Sequence, residues 1–397
     1  MAAESQQQAA QWAQVGAGLL HANDLEGAVE PLRKALALAP GSAAVLDNLG
    51  ITLCRLGHVR EAVELLRRAV ELQPNNANTH MNLGIALLGL GEFEEAWREM
   101  EWRDRWEGFA ALTQGLPQPL WDGEPLEGKT ILLHGGQGFG DTLHLARYVP
   151  LLWDRGARVV FHCAPAVHRL LRTLRGRVEL VGPGQAVPAF DYHCPVIALP
   201  MAFRTTLEGL PREVPYLSAD AADVKRWGER LSRDAEGLRV GLVWAGSGAH
   251  EANRYRSTAL SAMAPLAEVK GVSFYNLQLG QAAREMSHQG APLKIIDHTR
   301  ELRDFAETAA LIANLDLVIS VDTAVAHLAG ALAKPVWTLL SFTSEWRWML
   351  ERSDSPWYPT MTLFRQPVLH DWDSVMREVG ERLRRMVSHR ERGPGAA

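Results

Sequence analysis

A 34-residue period near the start of this chain constrains its fold more than any other feature. Two copies match closely: Ala28, Leu32, Ala35 and Pro40 return as Ala62, Leu66, Ala69 and Pro74. Three copies share a glycine and a leucine, at Gly16, Gly50 and Gly84 and at Leu19, Leu53 and Leu87. The third copy then departs, with Met100 and Arg103 where leucine and alanine stood. A unit of this length is one helical hairpin that cannot bury its apolar face alone, so the copies must stack.

The period and its alternation of small and large residues resemble the tetratricopeptide repeat. We predict about three repeats over residues 1–112, the last one degenerate and carrying Trp97, Trp102 and Trp106 as a buried contact rather than a ligand platform. Two interpretations of the array stay open. It is either a concave surface for a peptide or protein, or a dimerisation or stabilising arm.

Length and charge limit the class of protein. A chain of 397 residues is too long for one hydrophobic core, so two or three domains are expected. Its net charge of −5 argues against nucleic acid or an anionic membrane as the partner. The N-terminal stretch lacks the features of a signal peptide, and no apolar run is long enough to cross a bilayer. These observations predict a cytoplasmic protein with no transmembrane segment.

The three cysteines show no metal-ligand spacing, and no metal site is predicted. His162-Cys163 and His193-Cys194 have the composition of a zinc set. We interpret them as two neighbouring strand ends that carry the same pair of residues.

Strand and helix patterns alternate after a linker at residues 113–129. This alternation predicts parallel sheets covered by helices. It starts at Thr130 and again at Leu238, so we predict two doubly wound α/β domains, residues 130–217 and 218–370, with a cleft between them. Residues 371–397 are predicted to form a helix that crosses back to the first α/β domain, followed by a disordered tail.

The loop after the first strand, Gly135–Asp141, places glycines and a carboxylate at a helix start. It lacks the G-x-G-x-x-G pattern of dinucleotide-binding folds, and no P-loop lysine follows. Gly138 and Gly140 permit close backbone approach to a ligand. Asp141 is a candidate general base, and the alternative is that it only caps the helix.

The loop that follows Trp244 combines a flexible turn, at Gly246 and Ser247, with the guanidinium groups of Arg254 and Arg256. Guanidinium groups suit bidentate phosphate contacts. Gln278 ends the next strand and is a candidate to bind a base or sugar edge, whereas Asp304 is expected to cap a helix.

A third corner lies within Val318–Leu340, where a buried strand meets a helix rich in small residues. Asp322 and Thr323 stand between them, and His327 follows Thr323 by four residues on nearly the same helical face. Anions bind at such helix N-termini, although Asp322 can itself cap the helix.

Together these segments resemble the bacterial tetratricopeptide-repeat glycosyltransferases, whose GT-B catalytic region is similar to the ADP-heptose heptosyltransferases and more distantly to O-GlcNAc transferases. The most specific match is VISVDTAVAHLAG. The resemblance implies metal-independent, inverting transfer from a nucleotide sugar, with no other cofactor. It implies that Asp322, Thr323 and His327 belong to the donor site, that Asp141 is the base, and that Arg256 contacts the diphosphate.

Two departures from the family concern the identity of the donor. Ala324 stands where heptosyltransferases usually have glycine, and GSGAHEANRYRS replaces a turn that usually contains Asn-Pro. The predicted function is a hexosyl- or heptosyltransferase acting on a protein or glycan acceptor that the repeats bind. The alternatives are an inactive repeat scaffold for protein–protein contacts and a nucleotide-sugar epimerase.

A tryptophan-rich stretch near the end of the second α/β domain has two interpretations. It forms either a sugar-stacking platform or a packing contact with the sheet, through Trp346, Trp348 and Trp357.

Overall fold

The computed structural model describes residues 2–135, 138–234, 237–248, 253–287, 291–342 and 345–392. The chain divides into two compact units. The repeat unit comprises Met1–Gln114 together with Arg204–Gly209 and Phe342–Arg352. The α/β unit comprises Gly115–Phe203, Leu210–Ser341 and Ser353–Ala397.

Seven helices of the repeat unit lie in the first 113 residues: α1 (Ala2–His21), α2 (Leu25–Leu38), α3 (Ala43–Arg55), α4 (Val59–Leu72), α5 (Ala77–Leu90), α6 (Phe93–Met100) and α7 (Glu107–Thr113). Side-chain caps define two of the starts. Asp24 accepts a hydrogen bond from the Gly27 amide at α2, and Asn76 accepts from Asn78 and Thr79 at α5.

The repeated glycines lie where the two helices of each repeat approach most closely. A Cβ atom added at Gly16, Gly50 or Gly84 would lie 2.5, 2.6 or 2.5 Å from a Cγ atom of Leu32, Leu66 or Met100, respectively. These distances are shorter than a carbon–carbon contact, so only glycine permits the helices to pack in this way. The same contact explains why Met100 replaces leucine in the third copy without loss of the pairing.

The repeat unit also contains two segments that the sequence assigned to the α/β domains. The ring of Trp346 meets that of Phe93 edge-on at 6.4 Å, and the turn Trp346–Trp348 packs against α5. Nε1 of Trp97 donates a hydrogen bond of 2.6 Å to the carbonyl oxygen of Thr205. Trp346 and Trp348 therefore pack against the repeats, and the predicted packing against the sheet is wrong for these two residues. Trp97 is buried, as predicted, whereas Trp102 and Trp106 are only partly buried.

We expect Gly50→Ala to destabilise the repeat unit by about 1–3 kcal/mol, because the added methyl group would overlap Leu66. Gly18→Ala is the matched control. It lies in a helix with nothing within 4 Å of the added carbon, so helix propensity should raise stability by up to about 1 kcal/mol. Calorimetric unfolding of the full chain measures both. Equal transition temperatures for the two variants would contradict the close-packing role of Gly50.

The first sheet of the α/β unit has four parallel strands in the order β3-β2-β1-β4. Its elements are β1 (Thr130–His134), α8 (Phe139–Leu145), α9 (Val149–Asp154), β2 (Arg158–His162), α10 (His168–Leu171), β3 (Val178–Val181), β4 (Tyr192–Pro195) and α11 (Leu199–Ala202).

The second sheet has six parallel strands in the order β10-β9-β8-β5-β6-β7. Its strands are β5 (Leu238–Val243), β6 (Val272–Asn276), β7 (Ile295–Ile296), β8 (Leu317–Val321), β9 (Val336–Leu340) and β10 (Met361–Arg365). The helices of this part are α12 (Ala221–Leu231), α13 (Asn253–Arg256), α14 (Phe305–Ala313), α15 (Ala324–Ala331) and α16 (Trp372–Arg392). The predicted fold class, helical repeats followed by two parallel-sheet α/β domains, is confirmed.

The last helix corrects one expectation. Apolar residues of α16, including Val375, Val379 and Leu383, belong to the core of the second sheet. Burying this apolar face against the sheet that precedes it satisfies the helix, so the predicted crossing back to the first α/β domain is wrong. The predicted disordered tail, residues 393–397, lies outside the described residues.

Asp304 is confirmed as a helix cap and also joins two elements. It accepts a hydrogen bond of 2.8 Å from the Glu307 amide at the start of α14. Nε and Nη2 of Arg169, in α10, each donate to its carboxylate at 2.9 Å. Burial alone would raise the pKa of Asp304, but the bonds from Arg169 and the Glu307 amide hold it below its usual value.

Within the described residues, no helix is long and apolar enough to span a bilayer.

Candidate functional site

The carboxyl ends of β5 and β8 meet at the point where the strand order of the second sheet reverses. The two strands are hydrogen-bonded neighbours, with Val243 opposite Ser320, while β6 lies on the other side of β5. Because the two strands are neighbours, the loops after Val243 and Val321 begin side by side. Loops that leave two adjacent strands in opposite directions open a crevice, and ligands of doubly wound sheets bind in such a crevice.

Thr323 is the residue at the N-cap position of α15. Its backbone is extended, with φ −145° and ψ 171°, and Asp322 precedes the cap. The alternative that Asp322 caps this helix is therefore wrong. Within the described part of the chain, the Thr323 side chain makes no capping bond, and its hydroxyl lies 2.9 Å from that of Ser320. The Ala326 amide already donates to the Thr323 carbonyl oxygen at 3.1 Å. The capacity of this helix start to bind an anion therefore lies in the amides of Ala324 and Val325, the first two residues of α15.

His327 is buried behind this corner, with 4% of its surface exposed. Its Nε2 lies 3.8 Å from Oδ1 of Asp322, and its Nδ1 lies 3.0 Å from the hydroxyl of Tyr358. The structure therefore brings Asp322, Thr323 and His327 together, and it gives His327 contacts with protein groups on both ring nitrogens.

Gln278 has a structural position that the sequence did not predict. The side chain is 4% exposed, and its Oε1 accepts from the amides of Trp244 and Ala245 at 3.1 and 2.8 Å. Its Nε2 donates to the carbonyl oxygen of Leu279 at 2.9 Å. The amide oxygen holds the loop after β5, and the amide nitrogen bonds to the residue next to Gln278. Both ends of this buried amide have protein partners, so the prediction that Gln278 binds a base or sugar edge is corrected.

Gly246 lies directly against the guanidinium group of Arg256. A Cβ atom added at Gly246 would lie 2.7 Å from both Nε and Nη2 of Arg256, and the Gly246 amide donates to the Ser257 hydroxyl at 3.0 Å. Glycine at this position therefore allows Arg256 to reach the end of β5. Ser247 is exposed, and residues 249–252 of the same loop lie outside the described residues.

Arg254 is exposed, and its Nη2 donates to the hydroxyl of Tyr255. The pair of guanidinium groups predicted from the sequence is thus divided between two environments. Arg256 packs at the strand end, whereas Arg254 lies on the surface of α13.

Helix α8 carries the carboxylate predicted to act as a base. Gly138 is its N-cap, with an extended backbone at φ −153°, and Asp141 is the third residue of the helix. Asp141 does not occupy the N-cap position, and this half-buried residue lies in the first turn of the helix. Gly136 and Gln137 of this loop lie outside the described residues.

Gly140 brings α8 against the start of α15. A Cβ atom added there would lie 3.3 Å from Cδ2 of His327 and 3.9 Å from Cα of Ala324. A contact of 3.3 Å is tighter than nearly all real Cβ contacts, so glycine favours this packing. The helix that bears Asp141 therefore lies next to the helix that follows Asp322 and Thr323.

A histidine pair spans the corresponding reversal point of the first sheet, between β1 and β4, and the sequence analysis did not find its role. Nε2 of His134 lies 3.0 Å from Nδ1 of His193, and both residues are buried. Burial, together with His193 and His162, lowers the pKa of His134 to about 4. The expectation that His162 and His193 lie at the ends of neighbouring strands is wrong, because β1 lies between β2 and β4, and it is His134 of β1 that pairs with His193. Among the described residues, no group of three or more His, Cys, Asp or Glu side chains could hold a metal ion.

We expect the histidine pair to make the protein less stable in mild acid. The pKa of His134 is depressed to about 4 in the folded chain, so only the unfolded chain takes up this proton as the pH falls below about 6.5. At about pH 5 this difference costs roughly 2 kcal/mol relative to about pH 7.5. Urea unfolding at these two pH values measures it.

In that experiment His134→Gln should show a smaller loss of stability between the two pH values than the natural chain. His389→Gln, which removes an exposed histidine of α16, should keep the full loss. An identical pH dependence in all three proteins would contradict the assignment to His134.

Comparison with known families gives two matches. Residues 302–376 match glycosyltransferase family 9 (heptosyltransferase), and residues 52–91 match a TPR repeat. Protein FlbA of Caulobacter vibrioides is 28% identical over 294 residues, which cover 68% of this chain and 48% of FlbA. The chain thus spans about half the length of the curated relative it matches.

Two solved structures illustrate the similarity of each part. The E. coli ADP-heptose LPS heptosyltransferase II is 14% identical, with 65% of this chain and 99% of that chain covered and a TM-score of 0.44. The second TPR of Spaghetti (RPAP3), bound to an HSP90 peptide, is 22% identical, with 25% of this chain and 92% of that chain covered and a TM-score of 0.24.

Proposed function

Because this chain joins tetratricopeptide repeats to a glycosyltransferase family 9 (heptosyltransferase) domain, we propose that it is a metal-independent, inverting glycosyltransferase. It moves a hexosyl or heptosyl group from a nucleotide sugar to a hydroxyl group of a protein or glycan. The observation that carries this proposal is the packing of α8, which bears Asp141, against the start of α15 beside Asp322 and Thr323.

The diphosphate of the nucleotide sugar would lie at the start of α15. The amides of Ala324 and Val325 at this helix start and the guanidinium of Arg256, at the adjacent strand end, would stabilise the negative charge that grows on the leaving diphosphate. Charge stabilisation of this kind requires no metal ion between the phosphates. Ser247 and Arg254 stay predicted contacts on the same loop.

The carboxylate of Asp322 would contact a hydroxyl group of the ribose or the sugar, because a carboxylate repels phosphate. Its neighbour His327 limits where that carboxylate can turn, since Nε2 of His327 lies 3.8 Å from Oδ1. Ala324 adds a methyl group at the helix start where related enzymes have glycine, so it bears on which donor the corner accepts.

Asp141 would act as the general base. It takes the proton from the acceptor hydroxyl, whose oxygen attacks the anomeric carbon on the face opposite the diphosphate. The new glycosidic bond forms as the bond to the diphosphate oxygen breaks, and the configuration inverts. The repeats would bind the acceptor protein, and the cytoplasmic location stays a prediction.

We expect one nucleoside diphosphate from a panel of ADP, UDP, GDP and CDP to bind and raise the melting temperature, with or without EDTA. Arg256→Ala should weaken that binding by at least about tenfold, since a hydrogen bond to a charged group contributes about 1.5–3 kcal/mol. Arg384→Ala is the control, because Arg384 is exposed and pairs only at the surface with Glu268. Loss of binding after chelation would contradict metal independence.

Asp141→Asn should reduce sugar transfer about 10²- to 10⁴-fold while nucleotide affinity is kept, because only the proton acceptor is lost. Product analysis with the matching nucleotide sugar measures this. An unchanged rate would contradict the role of Asp141.

The same product analysis distinguishes the alternative functions. A nucleotide sugar with an altered sugar, formed without acceptor, would favour the epimerase. A chain that binds no nucleotide sugar would favour the repeat scaffold.

A further inference from the structure

We propose that His144 and Tyr358 are positioning residues, which hold His327 in a single tautomer and thereby orient the carboxylate of Asp322. The effect of this orientation on nucleotide-sugar binding rests on the proposed function. The direction of the hydrogen bonds among His144, Tyr358 and His327 does not.

The hydroxyl of Tyr358 is the centre of the arrangement. The residue is fully buried, and its hydroxyl lies 3.0 Å from Nδ1 of His144 and 3.0 Å from Nδ1 of His327. A phenol has one proton, so it donates to one of these nitrogens and accepts from the other. The two histidines must therefore carry opposite tautomers at Nδ1.

Asp322 decides which histidine has which tautomer. Its Oδ1 lies 3.8 Å from Nε2 of His327, and the negative charge favours a proton on that nitrogen. Nδ1 of neutral His327 is then bare and accepts from Tyr358. The oxygen of Tyr358 in turn accepts from Nδ1–H of His144. The hydrogen bonds thus run from His144 through Tyr358 to His327, whose Nε2–H faces the carboxylate of Asp322.

Arg147 holds Tyr358 in place. It is 3% exposed, and its guanidinium carbon lies 4.4 Å from the centre of the Tyr358 ring. Its Nη1 donates to the carbonyl oxygen of Trp357 at 2.8 Å, and its Nε donates to that of His144 at 2.8 Å. One buried cation thus fixes the backbone on both sides of the Tyr358–His144 hydrogen bond.

The hydroxyl of Tyr216 completes the environment of this cation. It accepts from Nη2 of Arg147 at 3.2 Å and donates to the carbonyl oxygen of Leu143 at 2.8 Å. Its proton is therefore already used. Its oxygen lies 3.4 Å from the Tyr358 hydroxyl, farther than the 3.0 Å to each histidine nitrogen, so the Tyr358 proton is donated to a histidine. Burial also raises the pKa of the Tyr358 phenol, so the hydroxyl keeps its proton.

These hydrogen bonds link α8 to α15. His144 lies on α8, the helix that carries Asp141, whereas His327 lies on α15, directly after Asp322 and Thr323. With the opposite tautomer, a lone pair of His327 would face the Asp322 carboxylate and repel it. The helix that carries the candidate base is therefore joined by hydrogen bonds, from His144 through Tyr358, to His327, whose Nε2 lies 3.8 Å from Oδ1 of Asp322.

The tautomers can be measured directly by long-range proton–nitrogen NMR correlations of the ¹⁵N-labelled full chain. Signals are assigned by their loss in His144→Gln and His327→Gln. We expect Nε2–H on His327 and Nδ1–H on His144. The same tautomer in both residues, or the reverse assignment, would overturn the inference.

Tyr358→Phe removes only the hydroxyl, and His144 should then return to the Nε2–H form that neutral histidine prefers in water. Tyr275→Phe is the matched control, because Tyr275 is 1% exposed and its hydroxyl has no hydrogen-bond partner among the described residues. It should leave both tautomers unchanged. A His144 tautomer that is unaffected by Tyr358→Phe would also overturn the inference.

Nucleotide binding separates this inference from the proposed function. The ligand is the nucleoside diphosphate, from the same panel of four, that binds the natural chain. Tyr358→Phe should weaken its binding roughly 3- to 10-fold, and Tyr275→Phe should not. If opposite tautomers are observed but no nucleotide binds the natural chain, the proposed function fails and the hydrogen-bond order stands. If a nucleotide binds equally well to both variants, the positioning role fails.

Discussion

The contact between α8 and α15 is the interaction on which the candidate site depends. It favours glycine at position 140, since a Cβ atom there would lie 3.3 Å from Cδ2 of the His327 ring. It also creates a buried polar layer, because His144 and His327 meet at Tyr358 without access to water. Buried polar groups are costly unless every partner is in place, so the hydrogen bonds and the helix packing stabilise each other.

Both sheets place polar groups where the strand order reverses, but with different chemistry. In the second sheet the reversal point carries a helix start without a threonine cap, a carboxylate and a guanidinium group. In the first sheet it carries the buried pair of His134 and His193, whose neutral form is favoured by burial. The groups at the second sheet can bind an anion. The histidine pair of the first sheet supports β1, the strand from which the loop to Asp141 begins.

The repeat unit is built by one contact that recurs with the period of the sequence. Each repeated glycine packs on a large side chain sixteen residues later, and the third repeat replaces leucine with methionine at that contact. The unit then takes in Phe342–Arg352 and Arg204–Gly209, whose aromatic and backbone groups meet Phe93 and Trp97. The repeats are therefore packed on segments from later in the same chain, in addition to any partner they bind.

The sequence by itself determined the repeats, the strand and helix alternation, and the three corners that carry Asp141, Arg256 and Asp322. Periodicity and strand-end residues are local properties, so they can be read without knowing what packs where. Strand β10 and the packing of α16 were missed, because edge pairing and the choice of sheet depend on distant residues.

Only the tertiary structure decided which of the candidate polar groups are bonded within the protein. Gln278 follows a strand like the other candidates, yet its amide bonds to Trp244 and Ala245 of the loop after β5 and to its neighbour Leu279. His144 and Tyr358 carry no sequence signal, since their meeting brings together residues 214 positions apart. A side chain's hydrogen-bond partners are set by the packing of whole elements, and the pattern of one segment does not contain that information.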